Sequence, residues 1–183
     1  MYSFFWEWWD YKSLKNHKRL SDSACLWCVI LYMVYLTWNQ LKDAIENNKW
    51  QLFSRTKFVR TRYAHFKTWV LQNYPSVKDY ILEKKLRHAK TEPMALLVND
   101  FPYNLATEID HVVIWCTSHD IDPSTPPPTL EAYQAFAAAH FDPRFFETLL
   151  YVNPVEARTV PDLPHCHVFS RATPAARLLY DWL

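Results

Sequence analysis

The sequence predicts an α+β protein: a helical N-terminal half with a single transmembrane helix, then a small, mainly antiparallel sheet with packed helices. Three observations carry this. Residues 24–38 run without a charge. The apolar residues of 39–89 recur close to helical spacing. From residue 94 the pattern changes to short β-branched runs in the order β-β-α-β-β-α, which favours an antiparallel sheet with helices against one face.

Taken in order, residues 1–11 (MYSFFWEWWDY) are aromatic-rich and hold two acids, unlike an Arg- and Ser-rich presequence. The basic cluster Lys12, Lys15, Lys18 and Arg19 follows. LSDSACLWCVILYMVYLTWNQL, residues 20–41, carries only Asp22 as a charge. As a helix it would be about 33 Å long, enough for a hydrocarbon core of roughly 30 Å. Trp27, Tyr32, Tyr35 and Trp38 would supply interfacial aromatics, with basic residues flanking both ends. WNQLKDAIENN puts Leu41 and Ile45 on one side of a helix. TKFVRTRYAHFKTWVLQNY continues helically until Pro75, and Ser76 caps SVKDYILEKKLRH with Asp79 at its third position. MALLVND and DHVVIWC read as strands around a loop, and DIDPSTPPPT as a proline-rich connection. LEAYQAFAAAHF is built of helix formers. ETLLYVNP and HCHVFSR are two more strands, and Thr173 with Pro174 opens a last helix. The divisions are an aromatic and apolar extension (1–37, with the membrane-embedded helix at about 20–41), a domain over 38–172, and a C-terminal helix (173–183).

Composition narrows the function. The net charge is +1, which gives no footprint for nucleic acid or an acidic partner. Glycine is absent, where an average chain of this length would hold roughly 13. No glycine-rich loop is therefore available to cradle a phosphate, and both the P-loop and the dinucleotide fingerprint are excluded. Cys25, Cys28, Cys116 and Cys166 are too few and scattered for a disulfide framework and read as buried thiols.

LPHCHVFSR is the stretch that bears chemistry. In a strand His165 and His167 share one face, with Cys166 opposite. A shared face suits a metal pair, a nucleophile with its orienting partner, or a structural pair bonded to Asn99, Asp100 or Asn153. His111 and His119 are further candidate ligands that nothing in the sequence brings close. His65 and His88, on helices, read as surface residues.

FSRTKFVRTRYAHFKTWVLQNYPSVKDYILEKKLRH, NDFPYNLATEIDHVVIW and LLYVNPVEARTVPDLPHCHVFSR, in this order, resemble the fungal and algal N-acetylglucosamine-induced protein family, a domain of unknown function, over about residues 38–172. ATEIDH lacks the glycine that this family usually carries before the His-bearing strand. NDFPYN before one apolar strand and PHCHVFSR at a later one are more weakly similar to histidine-triad nucleotide hydrolases and transferases. In that likeness one histidine is missing. Counted back from Arg171, His165 is the nucleophile and Leu163 stands at the first position. Counted from His165, His167 is the nucleophile and Phe169 stands at the third.

The expected function is a non-catalytic accessory subunit of a multi-subunit organellar membrane complex, at the mitochondrial inner membrane. Its partners would be other protein subunits and the bilayer, with no nucleic acid, cofactor or metal. The incomplete triad, the apolar extension and the surplus of interface-prone aromatics (nine Trp, eleven Tyr) point there. The alternative is a histidine-triad-like phosphoryl or nucleotidyl hydrolase or transferase, or a nucleotide or sugar-phosphate binding protein. His165 and His167 would then be the catalytic pair, with Asn99, Tyr103, Asn153 and Arg171 binding the ligand, Arg171 on its phosphate.

Overall fold

Thr37 decides where the first helix begins. Its backbone is extended (φ −72°, ψ 166°), and its backbone N–H and its hydroxyl both donate to Gln40 Oε1, at 3.0 and 2.9 Å. The computed structural model describes residues 35–89, 92–117, 124 and 126–180. Just upstream, Leu36 forms a parallel bridge with Leu105: its N–H donates to Asn104 O and its carbonyl accepts from Ala106 N–H, both at 2.9 Å. One helix over Leu20–Leu41 is therefore corrected. Residues 35–37 are extended chain tied into the domain, and the stretch left upstream is 20–34. That stretch, with Cys25 and Cys28, lies outside the described residues, as does His119. Among the described residues no helix is long and apolar enough to cross a membrane.

Helix α1 (Trp38–Glu46) buries Trp38, Leu41 and Ala44, the stripe its periodicity predicts. It is followed by Asn48 at φ 52°, the only described residue in the left-handed region. With no glycine in the chain, the position falls to asparagine, which tolerates that conformation better than most residues. A 3₁₀ turn (Trp50–Leu52) then leads to α2 (Lys57–Asn73), where Thr56 Oγ1 accepts the Val59 N–H at 3.2 Å. Tyr74 is pushed to an extended conformation by Pro75 and ends α2. Ser76 accepts the Asp79 N–H at 3.1 Å and donates to its carboxylate at 2.6 Å, opening α3 (Val77–Tyr80). Instead of continuing as an α-helix, α3 widens into a π-turn over Ile81–Lys85.

Four strands form one sheet in the order β1-β2-β4-β3, with every neighbouring pair antiparallel: β1 (Met94–Val98), β2 (Asp110–Cys116), β3 (Phe146–Tyr151) and β4 (His165–Ala172). Helix α4 (Leu130–His140), capped by Thr129, connects β2 to β3 across β4. Helix α5 (Pro174–Tyr180) follows β4, with Thr173 Oγ1 accepting the Ala176 N–H at 3.1 Å.

Helices cover both faces of this sheet, not one as the element order suggested. On one face Tyr133 and Ala137 of α4 pack against Ile114, Cys166 and Val168. On the other, Trp38 and Leu41 of α1 meet Tyr103, Ile109, Tyr151 and Phe169, while Ile81 and Leu86 meet Ala95 and Leu163. Because β4 lies between β2 and β3 and under both layers, all six residues of His165–Ser170 are buried. Cys116 and Cys166 are buried in this core, and burial pushes the Cys166 thiol up to about 12.

Candidate functional site

Register brings the chemistry together. His111 lies opposite Phe169, and Val113 opposite His167, so β2 presents His111 to the strand face that carries His165 and His167. His111 Nε2 is 2.9 Å from His167 Nδ1. The other nitrogen of His167, Nε2, is 2.9 Å from the Asn153 side-chain amide, which also lies 3.3 Å from the Tyr103 hydroxyl. The Tyr103 ring rests on both imidazoles, with centroids at 4.9 and 5.4 Å.

The donors fix where the protons sit. The Tyr103 backbone N–H donates to His111 Nδ1 at 3.2 Å, so that nitrogen is bare and the His111 proton is on Nε2. That N–H donates to His167 Nδ1, which places the His167 proton on Nε2. The Asn153 Nδ2 faces that nitrogen at 2.9 Å, and two donors would repel. A 180° turn of the amide puts Oδ1 there, where it accepts from both His167 and the Tyr103 hydroxyl. Asn99 supports the chain from above: its Oδ1 accepts the Phe101 N–H at 2.9 Å, and its Nδ2 straddles the His111 ring, 3.2 and 3.5 Å from the two nitrogens.

Every member of this chain is held neutral. Burial pulls His111 down to about 3, with Arg55 adding to the effect. Burial, then the neighbouring imidazoles and Arg55, holds His167 well below the usual histidine range. His165 is lowered chiefly by burial, with a smaller push from Arg158, against a hydrogen bond to the Leu163 carbonyl. That bond is 2.7 Å long and comes from Nδ1, so the lone pair of His165 is on Nε2. Its ring packs on Trp115 at 4.7 Å.

In front of β4 a cavity of about 240 Å³ opens between the sheet, α2, α3 and the 99–101 loop. His165, His167 and Asn99 line it. Tyr103 and Asn153 do not; they sit behind His167 as its support. Arg171 is not brought to it either. Its guanidinium pairs with Glu147 at 2.6 Å and stacks on Trp38 at 4.5 Å. Arg55 does line the cavity; its Nε–H donates to the Phe101 carbonyl at 2.9 Å and its head lies over Tyr63 (4.8 Å) and Tyr103 (5.3 Å). No described carboxylate pairs with it. Asp100, the one carboxylate among the described lining residues, is bound by Lys85 at 2.8 Å. Among the described residues no group of three His, Cys, Asp or Glu side chains is placed to hold a metal, and His65 and His88 are exposed.

Sequence reasoning missed Arg55 and left His111 unplaced. Arg55 stands in FSRTKF, one position before a helix-capping threonine, and that setting was its only signal.

A family model described as "Protein of unknown function (DUF3605)" matches residues 37–171. N-acetylglucosamine-induced protein 1 of Candida albicans (strain SC5314 / ATCC MYA-2876) is 23% identical over 43% of this chain; the match spans 42% of that relative's length. A solved structure described as "Crystal Structure of HTC1" superposes with a TM-score of 0.54 at 21% identity, over 79% of this chain and 93% of that one, which is a likeness of fold.

Proposed function

We propose that this chain, which belongs to the DUF3605 family of proteins of unknown function, binds a small organic anion at Arg55 and does no chemistry on it. The observation behind the reading is the guanidinium itself: half-buried, flanked by aromatic rings, without a described carboxylate, at the wall of a cavity. A planar cationic fork in such a place suits a phosphate or carboxylate held by two parallel hydrogen bonds. The remaining groups favour binding over turnover. Both nitrogens of His167 are engaged within the protein, and His165 is oriented by a backbone carbonyl with no acid beside it. Inorganic phosphate should bind the folded protein, and Arg55→Met should weaken it by tenfold or more, as the loss of a charge-assisted hydrogen bond of about 1.5–3 kcal/mol requires. Calorimetric titration measures this. Equal affinity in the variant, or release of product from nucleoside phosphoramidates or nucleotide sugars, would sink the reading.

One further observation favours a second role, as the accessory subunit of a multi-subunit membrane complex. The Leu36–Leu105 bridge and buried Trp38 stitch the end of the uncharged run 24–38 into the domain. Whatever holds that run then holds the domain with it. On native gels of solubilised membranes the chain should comigrate with a large complex and lose that mobility when residues 1–34 are deleted. Migration of the full chain near its own 21.9 kDa would end this role.

A further inference from the structure

The second polar feature of the cavity is an acceptor, and it defines what the anion must carry. We infer that the ligand is a sugar phosphate, with Arg55 holding the phosphate and His165 Nε2 accepting a hydrogen bond from a hydroxyl of the sugar. This rests on the anion-binding reading above. The Leu163 carbonyl offers only lone pairs, so His165 Nδ1 bears the ring proton and Nε2 is bare. Nothing among the described residues donates to Nε2, yet no buried side-chain polar atom among them lacks a partner. The nitrogen therefore opens onto the cavity that its ring lines.

An acceptor at one wall and a donor-only guanidinium at another ask for opposite things of one molecule: hydroxyl hydrogens at one end, anionic oxygens at the other. A bare carboxylate or inorganic phosphate satisfies only the second. The cavity is also lined by four rings, Tyr63, Phe66, Phe101 and Trp115, flat apolar faces of the kind against which the C–H face of a pyranose packs. The volume, about 240 Å³, sits below the roughly 300–1,000 Å³ of drug-sized sites, so it suits a monosaccharide phosphate and not a dinucleotide. Lys85 adds a cation at the rim, but Asp100 offsets it. Arg55 is thus left as the single uncompensated charge among the described lining residues.

Glucose 6-phosphate, hexyl phosphate, glucose and inorganic phosphate, titrated into the full chain by calorimetry, separate the two readings. Glucose 6-phosphate should bind at least tenfold tighter than hexyl phosphate. His165→Phe should erase that preference, and His165→Gln, which can present an oxygen in place of Nε2, should restore part of it. Arg55→Met should weaken both phosphates. Circular dichroism establishes that each variant is folded. Hexyl phosphate binding as tightly as glucose 6-phosphate, or a preference that survives His165→Phe, overturns the hydroxyl-reading role and leaves anion binding in place. Absence of binding by every phosphate overturns both.

Discussion

Between pH 7.5 and pH 5 the domain should lose a substantial part of its stability. His111, at about 3, and His167, well below the usual range, are neutral in the fold and titrate normally, near 6.5, once unfolded. In the window between those values the unfolded chain binds more protons than the folded one. Stability is thus complete above about 6.5 and falls as pH drops toward 3. Each such imidazole costs about 1.4 kcal/mol per pH unit in that window, so His111 alone costs about 2 kcal/mol at pH 5 and His167 adds in the same direction, against a total of roughly 5–15 kcal/mol for an ordinary domain. His165, lowered as well, adds in the same direction. The geometry gives the reason for the cost. A second proton on His111 would face the Tyr103 N–H, and one on His167 would face the proton that His111 donates. Urea denaturation followed by tryptophan fluorescence at several pH values reads the slope. A midpoint that does not move between pH 7.5 and 5 would mean the imidazoles are not held neutral.

Phe169→Ala should cost about 3–5 kcal/mol, the range for emptying a large aromatic site in a core that cannot close over it. Phe169 has no exposed surface and stands at the centre of a ring cluster, 4.6 Å from His111, 6.2 Å from Phe53, 6.3 Å from Tyr103 and 6.5 Å from His167. Its neighbours belong to β2, the 3₁₀ region after α1, the 99–109 connection and β4 itself, so no single element can shift to fill the void. Phe169→Leu should cost well under half as much. The alanine variant should also flatten the pH dependence, because the space opened beside His111 admits water and relieves the desolvation that keeps it neutral. A loss below 1 kcal/mol would show that the cluster repacks freely.

The strands were legible because short apolar runs, β-branched in DHVVIWC, replace the helical spacing from residue 94. Their antiparallel pairing followed from order alone. The partner of His167 was legible in part, since Asn153 was one of three candidates for a structural bond and is the one that makes it. His111 was not, because it is 56 residues from His167 and only the register of β2 against β4 closes that gap. Arg171 misled because its place on the histidine face says nothing of reach. Glu147, directly opposite on β3, takes its head instead. Arg55 was hidden for the converse reason: it lies on no patterned element, and its position depends on how the chain between α1 and α2 packs over Tyr103. Coverage of the second sheet face was missed because the connection through α4 crosses β4, and strand order is a tertiary property.

Asn48 stands as the single described left-handed residue in a chain with no glycine. The consequence is felt in the denatured ensemble. A glycine explores φ/ψ space that every other residue is denied, and replacing one where the native backbone permits gains about 0.4–1 kcal/mol by narrowing what folding must freeze. Here the replacement is complete, and among the described residues only Asn48 returns a cost, since the left-handed region is disfavoured by about 1 kcal/mol or more for a residue with a Cβ. The described backbone can therefore retain three buried imidazoles and a guanidinium without a described carboxylate, groups that weaken a core, because the disordered state opposite it is poorer in conformations than that of an ordinary chain of its length.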